Sequence, residues 1–216
     1  MAKNSPNNRD AAGNAKRVKS YYIYEERYDW LKDPRRFEKI YHTFRSRVFL
    51  KEILKILGNP SSSLILDAGC GTGLITIHLP RPIICVDINP WNLEKLKSRL
   101  EDKELIQADL EYIPFRDNCL DLIVCTEVIE HLPSPRNTIR EFHRTLKKSG
   151  KFIGTVPSIH PIWRFRKFFL TTCPVTEPFH KNYMKDELEE MIKIFKKRRM
   201  HYILLGFNIL FHCEKV

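Results

Sequence analysis

The chain is poor in glycine, with 8 in 216 residues, and its six cysteines include no CxxC pair. Cys70, Cys85, Cys119, Cys125, Cys173 and Cys213 are scattered, with Cys85 and Cys125 inside apolar runs. That spacing argues against zinc and disulfides, and predicts free thiols in a reducing cytoplasm. No apolar run approaches the ~18 residues that a membrane crossing needs. The N-terminus "MAKNSPNNRDAAGNAKR" also lacks the apolar core of a signal peptide. Internal repeats and low-complexity segments are absent too.

What is present suits one good core: 43% of residues are hydrophobic and 11% aromatic. Residues 1–17 lack periodicity and read as a disordered tail, followed by a helical segment over 18–60 and a domain over 61–216. A formal charge of +11 favours an anionic partner such as nucleic acid, phosphate or a membrane surface.

Asp33 as N-cap and Pro34 at the first helical position open a helix with Phe37, Ile40, Tyr41 and Phe44 on it; "GNPSSS" ends it. From Leu64 strands and helices alternate. "SLILD", "PIICVDI", "ELIQAD", "LDLIVCTE" and "KFIGTVP" read as strands, and "TGLITIHLP" as a short helix. Asn89 caps a helix with Leu93, Leu96 and Leu100 on one face. Ser134 caps another, carrying Ile139, Phe142 and Leu146 inward and ending at Gly150. Residues 157–184 form an aromatic, basic, proline-broken excursion. Asp186 is expected to cap "KDELEEMIKIF", and two strands around Gly206 to Asn208 close the chain as a hairpin. Near-continuous apolar strands between helices predict an α/β, doubly wound, mostly parallel sheet with an antiparallel last strand.

In "LILDAGCGTG" three glycines follow the first strand, where ligands meet a helix start in such sheets. The spacing is GxGxG: the dinucleotide fingerprint needs glycine at position 74, which is Leu74, and no P-loop lysine follows. Asp87, 20 residues after Asp67, ends the second strand and suits a ribose diol, while Asp109 ends the third and suits an exocyclic purine amine. Three carboxylates without a phosphate-binding cation point to a nucleoside that carries positive charge.

With "LDAGCGTG", "VDINP", "ADLEYIPFRDNCLDLIVCTEVIEHL" and "REFHRTLKKSGKFIGTVPS", the chain resembles the class I S-adenosylmethionine-dependent methyltransferases, type 11 group, over about residues 40–205. The resemblance implies a seven-stranded Rossmann-like sheet and S-adenosylmethionine as cofactor. Asp67 would meet the methionine amine. Ala68, Gly69, Cys70, Gly71 and Gly73 would form the loop around methionine and ribose. Asp87 would hold the ribose, Ile88 would pack on the adenine, Asp109 and Leu110 would contact its edge, and Thr126 would lie near the amino-acid end.

For the acceptor, "EVIEHL" offers Glu127, Glu130 and His131 after the fourth strand, with His131 as base or acceptor-orienting group. The bland reading of His131 is a turn-closing residue bonded to backbone. ExxEH with His180 could instead hold Mg²⁺, which resembles the small-RNA ribose and ubiquinone-pathway methyltransferases. The same motif is widespread in type 11 sequences without metal, so no metal ligand is assigned. Trp163, Phe165, Phe168 and Phe169, interleaved with Arg164, Arg166 and Lys167, fall where this family builds its acceptor pocket. The expectation is an enzyme acting on a small-molecule or lipid-like acceptor, with peripheral membrane contact open. RNA as acceptor and a non-catalytic binding protein are the alternatives.

Overall fold

The computed structural model describes residues 8–32, 36–57, 63–159 and 181–216. Seven strands form one sheet: β1 (Ile65–Ala68), β2 (Ile83–Asp87), β3 (Lys103–Gln107), β4 (Leu120–Thr126), β5 (Leu146–Pro157), β6 (Lys197–Ile203) and β7 (Asn208–Glu214). Their order is β3-β2-β1-β4-β5-β7-β6. Five strands run parallel, and β7 is antiparallel to both β5 and β6. The predicted doubly wound sheet with its closing hairpin is therefore present.

Alternation along the strands divides the core between two faces. Ile65, Ile83, Cys85, Leu122 and Val124 pack with Phe49 and Ile53 of α2 (Arg36–Leu57) and with Leu93 and Leu96 of α3 (Pro90–Lys97). Leu66, Val86, Ile123 and Phe152 face the other way, against Ile139 and Phe142 of α4 (Pro135–Thr145) and Leu188 and Met191 of α5 (Lys185–Met191). With both faces covered, the central strands read as unbroken apolar runs. The chain winds outward from β1 through β2 to β3, then crosses back to β4 on the other side of β1, and the crevice at that reversal positions the site.

Local details depart from the sequence reading. Between β1 and β2 only one 3-10 turn forms, Thr76–His78, where a short helix was expected. Helix α4 stops at Thr145, short of Gly150, because Leu146 joins the sheet opposite Leu120. Met184, not Asp186, holds the N-cap position of α5, and Ser134 caps α4 without a side-chain bond. Asn89 does cap α3, its Oδ1 accepting from the Trp91 amide at 2.9 Å. Helix α2 buries His42, Ser46, Phe49 and Ile53, leaving Ile40 and Phe44 exposed. Asp33, Pro34 and residues 160–180 of the excursion lie outside the described residues.

The largest departure is at the N-terminus. Residues 8–17, read as disordered, belong to helix α1 (Asn8–Ser20), followed by a π turn at Tyr21–Glu25. Long-range contacts seat this segment as a strap over the carboxyl ends of the strands. Val18 is fully buried, and Lys19 Nζ reaches Asp109 Oδ2 at 2.7 Å and Glu111 Oε1 at 3.4 Å. Asn89 Nδ2 donates to the Glu26 carbonyl at 2.5 Å. Arg99 then ties Asp29 to the Thr72 carbonyl of the glycine loop. One apolar anchor and a few polar contacts leave no periodicity to read in the sequence.

Two tests follow from this packing. A Cβ on Gly154 of β5 would lie 2.3 Å from Phe211 Cζ and 3.0 Å from the Cys125 carbonyl oxygen. Gly154→Ala should cost about 1–3 kcal/mol, seen as a lowered Tm; an unchanged Tm would mean that the Phe211 ring repacks freely. Arg99→Ala should accelerate amide hydrogen exchange across residues 19–31 while the central strands keep their protection. Equal exchange rates would show that the strap holds without this arginine.

Candidate active site

A cavity of about 370 Å³ opens at the carboxyl ends of β1, β2 and β4, beneath the strap and the N-terminal half of α2. The glycine loop forms its floor. The Gly69 and Cys70 amides donate to the Val86 carbonyl at 2.7 and 3.1 Å, which draws the loop across β2. Gly69 has φ +76°, and a Cβ there would fall 2.4 Å from Val128 Cγ2. Gly73 has φ +97°, and a Cβ would meet Leu96 Cδ1 at 2.6 Å, so this glycine lets α3 close onto the loop.

The two acids at the strand ends are buried. Asp67 Oδ2 accepts from Thr76 Oγ1 at 2.6 Å, and its pKa is pushed up to about 7 by burial, with the neighbouring Asp87 charge adding to the rise. Asp87 Oδ2 accepts from the Gly71 amide at 2.8 Å, while Oδ1 accepts from the Asn89 amide at 2.8 Å and Asn92 Nδ2 at 3.2 Å. Burial still raises the Asp87 pKa, against those three donors. Asp109 Oδ1 accepts from the Glu111 amide at 3.0 Å and its other oxygen meets Lys19.

Of the residues singled out in the sequence, Asp67, Gly69, Cys70, Gly71, Asp87, Ile88, Asp109, Leu110, Thr126 and His131 line this cavity. Ala68 and Gly73 do not. Ala68 is fully buried in the core beneath the loop, and Gly73 serves the packing of α3. Burial, followed by the neighbouring Cys85 thiol and the Asp87 and Asp67 charges, pushes the Cys70 thiol well up, so it is no nucleophile.

The acidic motif after β4 separates into different environments. Glu127, at φ +55°, accepts from Arg45 Nη1 at 3.0 Å, Thr155 Oγ1 at 2.9 Å and Asn208 Nδ2 at 3.0 Å. Glu130 is 1% exposed, its Oε2 has no hydrogen-bond partner, and burial raises its pKa to about 8, with the Glu127 charge adding to the rise. His131 Nδ1 shares a 2.8 Å hydrogen bond with the Tyr22 hydroxyl, and its Nε2 lies 4.0 Å from Glu130 Oε1. The Mg²⁺ arrangement of Glu127, Glu130 and His131 is not formed: Glu127 is committed to Arg45, Thr155 and Asn208. Among the described residues no group of three or more His, Cys, Asp and Glu converges on a metal position; His180 lies outside them.

Sequence reasoning missed Lys19, Tyr22, Arg45 and Thr76. Thr76 carried a faint signal, as the hydroxyl of the turn that begins where the loop ends. The other three reach the site from elements 40 or more positions away in sequence, and no local pattern announces them.

The residues present suit a cationic nucleoside. Two buried carboxylates end adjacent strands, Ile88 and Leu110 supply apolar walls, and a Cβ built on Gly71 would meet only open space. Residues 66–154 match the family model described as a methyltransferase domain. The chain is 29% identical over 167 residues to the chloroplastic 2-methyl-6-phytyl-1,4-hydroquinone methyltransferase of Spinacia oleracea, covering 70% of this chain and 48% of that one. It is 31% identical over 147 residues to an uncharacterised protein of Methanocaldococcus jannaschii, covering 65% of this chain and 61% of that protein. It thus spans roughly half the length of the first relatives it matches.

Among solved structures, an S-adenosylmethionine-dependent methyltransferase from Thermotoga maritima superposes with TM-score 0.67 at 16% identity, over 82% of this chain and 92% of that one. Magnesium protoporphyrin IX methyltransferase from Synechocystis, with bound S-adenosylmethionine, gives TM-score 0.67 at 13% identity, over 94% and 97%. The fold, the methyltransferase-domain match over residues 66–154 and the loop with its strand-end acids agree in supporting a class I S-adenosylmethionine-dependent methyltransferase of the type 11 group.

Proposed function

We propose that the protein transfers a methyl group from S-adenosylmethionine to a small-molecule or lipid-like acceptor held beneath the N-terminal strap. The observation that carries this reading is the pair of buried carboxylates, Asp67 and Asp87, with no Lys or Arg bonded to either among the described residues. Burial without a counter-ion is costly, and a positively charged ligand relieves it.

Each residue has a definable task. Asp67 would take the ammonium of the amino-acid end. Asp87 would accept from the ribose hydroxyls beside the Gly71 amide. Ile88 and Leu110 would sandwich the base, and Asp109 would face its edge in exchange for Lys19. The bound cofactor supplies a methyl group on a sulfonium, an electrophile that needs only an aligned nucleophile in a closed site.

His131 stands where it can orient an acceptor or take its proton. The Tyr22 hydroxyl bonds its Nδ1, which fixes the ring, and Nε2 is the nitrogen through which it would take the acceptor's proton. Buried Glu130, proton-bearing at neutral pH, lies beside that nitrogen without competing as a full negative charge. The strap and α2 shield this chemistry from water with Val18, Tyr22, Tyr28, Tyr41 and Phe49, an apolar and aromatic wall.

That wall suits an acceptor with ring or hydrocarbon character. The names of the spinach relative, a phytyl-hydroquinone methyltransferase, and of the porphyrin methyltransferase structure support the same acceptor class. Free Cys70, Cys85, Cys119, Cys125 and Cys213 support a reducing, cytoplasmic setting. No helix among the described residues is long and apolar enough to cross a membrane.

Millimolar S-adenosylmethionine, or its demethylated product, should raise Tm by linkage; no shift would overturn the donor assignment. Labelled cofactor with fractionated lysate then reads whether label enters lipid, small molecules, RNA or protein. Because Asp67 must give up its proton to pair with the ammonium, donor affinity should fall as pH drops below about 7. Calorimetry between about pH 5.5 and 8.5 should show this slope in the native protein and a flat profile in Asp67→Asn. At pH 8 that variant should bind about 10- to 100-fold more weakly, as expected for a lost charge-assisted hydrogen bond. A pH-independent affinity in the native protein would remove Asp67 from the amine site.

A further inference from the structure

The opposite end of the sheet holds a second cleft, of about 770 Å³, between the C-terminal turn of α2 and the strands β5, β7 and β6. It lies well apart from the candidate active site. Lys151 lines the cleft and Pro157 the active site, and six residue steps along β5 separate them by ~20 Å.

Strand alternation dictates the character of its floor. Ile209, Phe211 and Cys213 of β7 and Met200 of β6 point into the core beneath α4 and α5. Their neighbours in sequence therefore point to the other face: His212 and Glu214 on β7, Lys197, Arg199 and His201 on β6. In the sheet register His212 sits between Ile153 and Arg199, while Glu214 sits between Lys151 and Lys197. Lys197, Arg199 and His201 are all exposed.

The charges here are unbalanced. Lys55, Lys151, Lys196, Lys197 and Arg199 border the cleft against two acids, Glu52 and Glu214, while the Arg198 side chain turns to the other face beside Glu189. Glu214 is bonded to Lys197 at 2.5 Å, and Lys151 donates to the Ile56 carbonyl at the end of α2 at 2.8 Å. Arg199 and Lys55 have no acidic partner among the described residues. The field is felt at His212, whose pKa is lowered first by burial and then by Arg199, His201 and Lys151, with Glu214 opposing. Among the described residues no Phe, Tyr or Trp lines the cleft, so a ligand would be recognised by charge and not by stacking or apolar insertion.

We propose that this cleft is a binding site for clustered phosphates, separate from the methyl-transfer site and independent of that assignment. Cations spread over β5, β6 and the end of α2 match an extended anion better than a single phosphate, and arginine supplies a forked donor for phosphate oxygens. The phosphates can belong to a free polyphosphate or to the backbone of a nucleic-acid duplex, and two probes distinguish these sources.

The full-length protein is titrated with tripolyphosphate, and separately with a short RNA duplex, by calorimetry and by NMR of its histidine rings. Saturable tripolyphosphate binding with an upward shift of the His212 pKa is expected, and affinity should drop about tenfold in Arg199→Gln. Binding of the duplex alone, with the same His212 shift and the same loss in Arg199→Gln, would identify the nucleic-acid backbone as the source. Arg199 is exposed, so the variant should keep the native Tm. Failure of both probes to bind would overturn the proposal. So would binding that leaves His212 unmoved, or equal affinity in Arg199→Gln.

Discussion

Two carboxylates buried side by side at the ends of adjacent parallel strands govern this structure. Asp67 and Asp87 end β1 and β2, each almost fully enclosed, with no lysine or arginine bonded to either among the described residues. A hydroxyl, two backbone amides and the Asn92 side-chain amide hold them. The glycine loop exists in its sharp form to deliver those amides: its φ values bring the Gly71 N–H onto Asp87 while Thr76 turns back onto Asp67. Raised pKa values are the direct consequence of burial without a counter-ion. A ligand bearing positive charge and hydroxyl donors fits that deficit.

The strap is the second consequence of placing a site at strand ends. Ends of parallel strands are open by construction, and something must cover them for chemistry that excludes water. Here α1 and the following turn do so with few contacts: one buried valine, a lysine on Asp109, and the Arg99 tie from Asp29 to the loop. Tyr22 brings the same segment to His131, the residue proposed to orient the acceptor. A cover held by a handful of polar bonds is also one that can yield to a ligand competing for the same partners, as the adenine edge would compete with Lys19.

The face of β5, β7 and β6 opposite α4 and α5 shows how far burial pattern controls surface chemistry. Strand alternation sends Met200 and Phe211 into the core and so obliges Arg199 and His212 to share the other face. The resulting cationic cleft is a property of register, although each of its charges was visible in the composition.

Much of this protein was legible from its residues alone. Continuous apolar strands, Asn89 before Pro90, three glycines after β1 and acids after β1, β2 and β3 are local features, and local backbone preference and burial are what they encode. The doubly wound sheet and the donor end of the site follow from them. The tertiary structure decided the rest. It seated residues 8–17 as helix, turned Ile40 and Phe44 outward, ended α4 at Leu146 so that β5 could begin, and bound Glu127 to Arg45, 82 positions away. It also put Tyr22 on His131 across 109 positions. Such pairs depend on which strand ends lie next to each other, and that is settled only when the whole sheet closes its order.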